Sequence, residues 1–134
     1  MSGSDLFTGT LDIMILRAVQ EEAQHGYGIG QMLREVSRGV VDVAEGVMYP
    51  ALHRLEKRGL LKAAWGESKT GRRAKYYSLT PSGERHLATQ YAGWASFTAA
   101  VSAVLHMGPG PASNGQERRS QGTVNEPGVA VRND

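Results

Sequence analysis

The sequence predicts a mainly α fold carrying one small β-hairpin, an α+β arrangement in the order helix, helix, helix, hairpin, helix. Three observations lead to it. Apolar residues recur at helical spacing in four separate stretches. Two short apolar or aromatic runs, separated by a polar, glycine-containing stretch, lie between the third and fourth of these. The chain of 134 residues, 40% hydrophobic and 21% charged, has the size and composition of one compact unit with a tail.

In residues 8–22, Leu11, Ile15, Ala18 and Val19 fall at helical spacing, and Met14 and Leu16 widen the stripe into a first helix. The turn-rich run Gln24-His25-Gly26-Tyr27-Gly28 follows. Tyr27, Ile29, Met32, Leu33 and Val36 then mark a second helix that closes near Gly39. Val47, Met48, Ala51, Leu52 and Leu55 define a third, which ends in Lys57-Arg58 and stops at Gly59. Cations suit the negative end of a helix, and glycine takes the left-handed conformation that terminates it. Pro50 is read as lying in the first turn, where backbone amides have no intrahelical partner and a missing N–H costs little.

Residues 60–65 and 75–79 read as the two strands of the hairpin. Alternation turns Leu61, Ala63 and Trp65 to one face, with Tyr77 and Leu79 inward on the second strand and Lys62 and Tyr76 outward. Thr80-Pro81 is a cap followed by proline at the first helical position, opening a fourth helix that runs to about His106. Residues 1–80 are thus expected to form one domain and residues 81–106 a separate helix. In residues 107–134 glycine, proline, serine and asparagine dominate and no apolar period is sustained, so this stretch reads as a disordered tail.

Charge is distributed unevenly. Residues 53–75 carry eight Lys and Arg against two Glu, whereas residues 1–52 carry three Arg against seven acids, within a net charge of only +2. A basic run is by itself often an ordinary solvated face. Here it coincides with the third helix and the hairpin. With no cysteine, the chain has neither a disulfide framework nor a thiolate chemistry. The histidines, His25, His53, His86 and His106, are scattered and accompanied by no glycine-rich phosphate loop, nucleophile triad or metal-ligand cluster. His53 and Glu56 share a helix face, but two ligands do not make a metal site. The reading is therefore not an enzyme, with no metal and no cofactor. The first residues lack the basic start and apolar core of a secretory signal, which places the expected location in the cytoplasm.

Three short helices followed by a hairpin is the layout of a winged helix-turn-helix, in which the third helix enters the DNA major groove and the hairpin touches the flanking backbone. On this layout Arg54, Lys57 and Arg58 lie on the recognition helix, and Lys69, Arg72, Arg73 and Lys75 crowd the wing. Their charges suit phosphates. Base edges are reached from the front of the recognition helix, which makes Val47, Met48, Tyr49 and His53 the candidates, with Arg54 beside them. Core packing is the plainer reading of Met48. Tyr49 suits a phosphate contact or a staple over the second helix.

The segments HGYGIGQMLREV, EGVMYPALHRLEKRGLL and GRRAKYYSLTPSGERHL, in this order and at these separations, resemble the PadR family of bacterial transcriptional regulators. The resemblance covers residues 8–106. It implies a winged helix-turn-helix repressor, dimeric through its C-terminal helix and often relieved by a small molecule, with Tyr49 to Glu56 in the recognition helix and Arg72 to Tyr77 in the wing. Where the family usually has Ser or Thr ahead of the apolar residue and the tyrosine, this sequence has Val47 before Met48 and Tyr49, so it lacks the hydroxyl that the resemblance implies there for a helix cap or a phosphate contact.

From Leu87 to Leu105 there is no charged residue, although a helix on a monomer's surface normally carries a charged face. Leu87, Tyr91, Trp94, Thr98, Val101 and Leu105 follow steps of four and three, the spacing of a coiled-coil seam, and Ala88, Ala92, Ser96 and Ala100 form a row of small residues. We read this helix as the dimer interface of a homodimer rather than as a membrane span, because Thr89, Gln90, Gly93, Ser96, Thr98 and Ser102 are too polar for one. In light of the resemblance, Trp94 and Phe97 are candidates for a cavity taking a small aromatic effector between protomers, against the plainer reading as core. The rival function is a winged-helix module that contacts only proteins, since the fold alone does not prove DNA binding.

Overall fold

The computed structural model describes residues 3–109. Residues 110–134, most of the predicted tail, lie outside the described residues. The elements are α1 (Gly3–Ala18), β1 (Gln24–His25), α2 (Gly26–Val36), α3 (Glu45–Lys57), β2 (Leu61–Glu67), β3 (Arg73–Leu79) and α4 (Pro81–Leu105). The predicted fold class is correct, with one addition. β1 joins the hairpin as a third antiparallel strand, in the order β1-β3-β2, by pairing Gln24 with Tyr77 and His25 with Tyr76. The Gln24–Gly28 run is therefore not simply a turn: His25 ends the strand and caps α2, its Nδ1 accepting the Gly28 N–H at 2.9 Å. Its ring also meets Tyr76 edge-on, with centroids 5.2 Å apart.

One face of each helix supplies the core. Leu11, Ile15 and Leu16 of α1, Ile29 of α2, and Met48, Leu52 and Leu55 of α3 are buried together with Leu61, Tyr77 and Leu87. α2 closes at Val36 rather than Gly39, through Arg38 and Gly39 at φ 56° and 85°. α3 begins at Glu45, earlier than the sequence reading, so Pro50 lies inside the helix rather than in its first turn. Its missing N–H deprives the Gly46 carbonyl of a partner, and both residues are exposed, so water can serve that carbonyl. Gly59 stops the helix as predicted. At φ 76° it lets the Gly59 and Leu60 N–H groups bond back to the carbonyls of Glu56 and Leu55, at 2.9 and 3.0 Å.

Thr80 ties the hairpin to α4. Its Oγ1 accepts the Gly83 N–H at 2.9 Å and donates to the Gly59 carbonyl at 2.7 Å. Gly83 is buried so close to the Leu60 carbonyl that a Cβ there would overlap it. Contacts divide the chain into one unit ending at Phe97 and a second from Thr98 onward. Along α4 only Gly83 and Leu87 are buried. The seam expected to face a partner is thus split: Leu87 belongs to the chain's own core and Trp94 packs against that core, whereas Tyr91 is 63% exposed, Val101 39% and Leu105 76%, with Thr98 half-buried. Four-three spacing identifies an apolar stripe but not which molecule covers it. No helix among the described residues is long and apolar enough to cross a membrane.

Candidate nucleic-acid interface

The register of β2 and β3 decides which side chains leave the sheet together. Leu61 opposes Leu79, Ala63 opposes Tyr77, Trp65 opposes Lys75 and Glu67 opposes Arg73, and residues directly opposite share a face. The first two pairs close the core. Beyond them burial falls away: Trp65, expected inward, has the predicted face but is 59% exposed. The strands join through residues 68–72, where Gly71 at φ 80° allows the reversal and the Ser68 N–H meets the Arg72 carbonyl at 2.8 Å.

Between this wing and the helices lies a depression of about 1370 Å³. Tyr27 and Gln31 of α2 and Tyr49 of α3 line one side, and Trp65, Lys69, Arg72, Arg73 and Lys75 the other. The structure therefore brings together Tyr49, Lys69, Arg72, Arg73 and Lys75 from the sequence-predicted set. Val47, His53 and Lys57 are exposed on α3 but do not line the depression. Met48 is a correction to that set. It is 3% exposed and packs in the core, because it shares the buried face of α3 with Leu52 and Leu55.

Two of the basic residues are already partnered. Arg54 reaches across to α1 and donates to Asp12 at 2.6 Å, its Nε buried without a further partner. Lys75 donates to Glu56 at 3.2 Å, tying the wing to α3. This hydrogen bond is the main reason its ammonium titrates above the ordinary lysine range, while burial pushes the neighbouring Tyr77 hydroxyl up as well. Among the described residues, Lys69, Arg72 and Arg73 make no salt bridge. Their charge stays available on the open side of the depression.

Sequence reasoning passed over Tyr27, Gln31 and Trp65. Tyr27 and Gln31 stand four residues apart, one turn along α2, and the Gln31 amide donates to the Tyr27 hydroxyl at 3.4 Å. That spacing was a legible signal. No group of three or more His, Cys, Asp or Glu side chains among the described residues could hold a metal ion.

A second concavity, of about 750 Å³, opens between α1, α2 and α4 and is lined by Met14, Leu33, Val36, Leu87, Tyr91 and Trp94 among others. Phe97 is not part of its lining, although its ring lies 6.5 Å from that of Trp94.

Comparison with known proteins agrees with this architecture. An uncharacterized protein of Lysinibacillus sphaericus is 33% identical over 95 residues, covering 71% of this chain and 87% of its own length. A PadR-like transcription factor from Bacteroides fragilis is similar in structure, with a TM-score of 0.63 and 34% identity over 75% of this chain and 95% of that one. A PadR-like transcriptional regulator from Bacillus cereus superposes with a TM-score of 0.67 and 27% identity, covering 78% and 99% of the two chains. The signature of the PadR-like transcriptional regulator family matches residues 15–89. With sequence signature, helix order and wing in agreement, this chain belongs to the PadR-like family and is a winged-helix transcriptional regulator rather than an enzyme.

Proposed function

We propose that this regulator binds double-stranded DNA as a homodimer and represses transcription from a palindromic operator. The observation that carries the reading is the juxtaposition of the exposed Tyr49 of α3 with the wing's Lys69, Arg72 and Arg73, which make no salt bridge among the described residues, around one open depression. On this reading α3 enters the major groove with Val47, Tyr49 and His53 toward base edges. Lys57, Lys69, Arg72 and Arg73 meet phosphates along the flank, and Lys75 acts mainly by holding the wing to α3.

Self-association rests on α4. Its uncharged stretch leaves Tyr91, Val101, Val104 and Leu105 exposed, and burying such side chains against a second copy removes apolar surface from water. A two-fold pair would present two recognition helices about 34 Å apart, which is what makes the operator palindromic. Relief by a small aromatic effector is the remaining part of the proposal. Trp94 serves it as part of the lining of the apolar concavity, and Phe97 as its ring neighbour. The effector-binding experiment is a titration of small aromatic compounds against the preformed DNA complex.

The experiment for DNA binding is a titration with duplex DNA at several salt concentrations. A linear fall of log affinity with log salt supports the reading, and the double replacement Arg72→Ala, Arg73→Ala should flatten that slope. Affinity that is absent or indifferent to salt favours the rival reading, a winged-helix module that contacts only proteins.

A further inference from the structure

Arg73 stands directly across the ladder from Glu67. Opposite charges at such a position ordinarily pair. Here the guanidinium instead lies over the ring of Trp65, 4.6 Å from its centroid, and among the described residues it makes no salt bridge. Trp65 is 59% exposed and lines the same depression as Arg72 and Arg73. An exposed tryptophan contributes little to the core. Its place beside an arginine that has passed over its carboxylate neighbour calls for another account.

Building on the DNA-binding reading above, we infer that Trp65 is a positioning residue that holds Arg73 ready for a DNA phosphate. The chemistry of the two groups makes the arrangement productive. A guanidinium is planar and carries its five N–H donors around its edge, so a ring occupying its face leaves those donors open for a bidentate phosphate contact. The attraction between the cation and the ring quadrupole restrains a long side chain without neutralising it. A carboxylate partner would restrain it equally well but cancel the charge that phosphate needs. Lys75 illustrates that alternative two residues along the same strand, where Glu56 takes its ammonium at 3.2 Å.

The test is a double-mutant cycle on the full chain, with a mixed-sequence duplex of about 40 base pairs at low salt, conditions in which phosphate contacts supply the affinity. Trp65→Ala should weaken binding by about two- to fivefold per subunit, the worth of an exposed cation–π contact. It should also flatten the salt slope, and Trp65→Phe should restore most of both. In an Arg73→Ala background, Trp65→Ala should add no further loss. Thermal midpoints of the variants, measured alongside, should match the parent.

The inference is overturned if Trp65→Ala binds like the parent, or if it costs as much without Arg73 as with it, since the indole would then act independently. A lowered thermal midpoint that accounts for the loss overturns it too. A parent protein that shows no salt-dependent binding at all defeats the DNA-binding reading itself, and the role of Trp65 falls with it.

Discussion

Removing either partner of the Asp12–Arg54 pair should destabilise the fold unequally, and the inequality follows from their burial. The Asp12 side chain is 8% exposed and that of Arg54 39%, at a separation of 2.6 Å. In Arg54→Ala a carboxylate is left in the core interface with no cation, and breaking a buried pair in this way costs about 3–5 kcal/mol. Because Arg54 occupies a partly open site, water can enter the vacated space, which puts the expected cost at the low end, about 3 kcal/mol. In Asp12→Ala the guanidinium can swing outward and be hydrated. The loss is then one charge-assisted hydrogen bond, about 1.5 kcal/mol, partly offset because the unpartnered Nε is released to water.

Urea unfolding followed by circular dichroism, at one fixed protein concentration so that self-association does not enter, provides the assay. With a slope of about 1.5 kcal/mol per molar, the midpoint should fall by about 2 M for Arg54→Ala and by less than about 1 M for Asp12→Ala. Equal losses, or a larger loss for Asp12→Ala, would refute the argument from burial. The same variants address function. Arg54 is occupied by Asp12, so Arg54→Ala, assayed where it is folded, should leave the salt slope of DNA binding near that of the parent, unlike the wing double variant.

Gly83→Ala should destabilise by about 2 kcal/mol or more, although alanine is the better helix former by about 1 kcal/mol, because its methyl would strike the Leu60 carbonyl; a midpoint at or above that of the parent in the same urea assay would contradict the packing. Stability should also fall in alkali. The Lys75 and Tyr77 pKa values are both raised in the folded chain, so both groups contribute fully below their unfolded values, about 10.4 and 10, and lose that contribution as pH rises past the folded ones. Thermal midpoints between pH 8 and pH 11 should therefore drop more steeply for the parent than for Tyr77→Phe. Leu105→Asp, at a position 76% exposed, should shift sedimentation toward monomer and weaken operator binding while leaving the circular dichroism spectrum of the fold intact; an undisturbed dimer would move the interface elsewhere.

The parts of this fold that the sequence displays are those fixed by local chemistry. Periodic apolar residues marked all four helices, and Gly59 marked a helix stop because only a left-handed residue closes that bonding pattern. The parts it concealed depend on neighbours distant in the chain. β1 is two residues long and exists only through pairing with Tyr76 and Tyr77. Alternation assigned Trp65 to the correct face of β2 but carried no information on whether anything covers that face, and Trp65 is 59% exposed. Met48 differs from these, since its spacing from Leu52 and Leu55 already placed it on the buried side of α3.

The same distinction governs how the basic stripe should be valued. Residues 53–75 hold eight Lys and Arg, and a reading by composition treats them as equivalent phosphate ligands. Tertiary pairing makes them unequal. Arg54 is held by Asp12, 42 residues away, and Lys75 by Glu56, 19 residues away, and neither separation leaves a local signature. A cation that must first abandon a carboxylate contributes less to affinity, and less to the salt slope, than one facing water. Among the described residues Lys69, Arg72 and Arg73 at the wing tip make no salt bridge, and neither do the exposed Lys57 and Arg58 at the end of α3, so DNA affinity should respond far more to changes at these positions than to changes at Arg54 or Lys75.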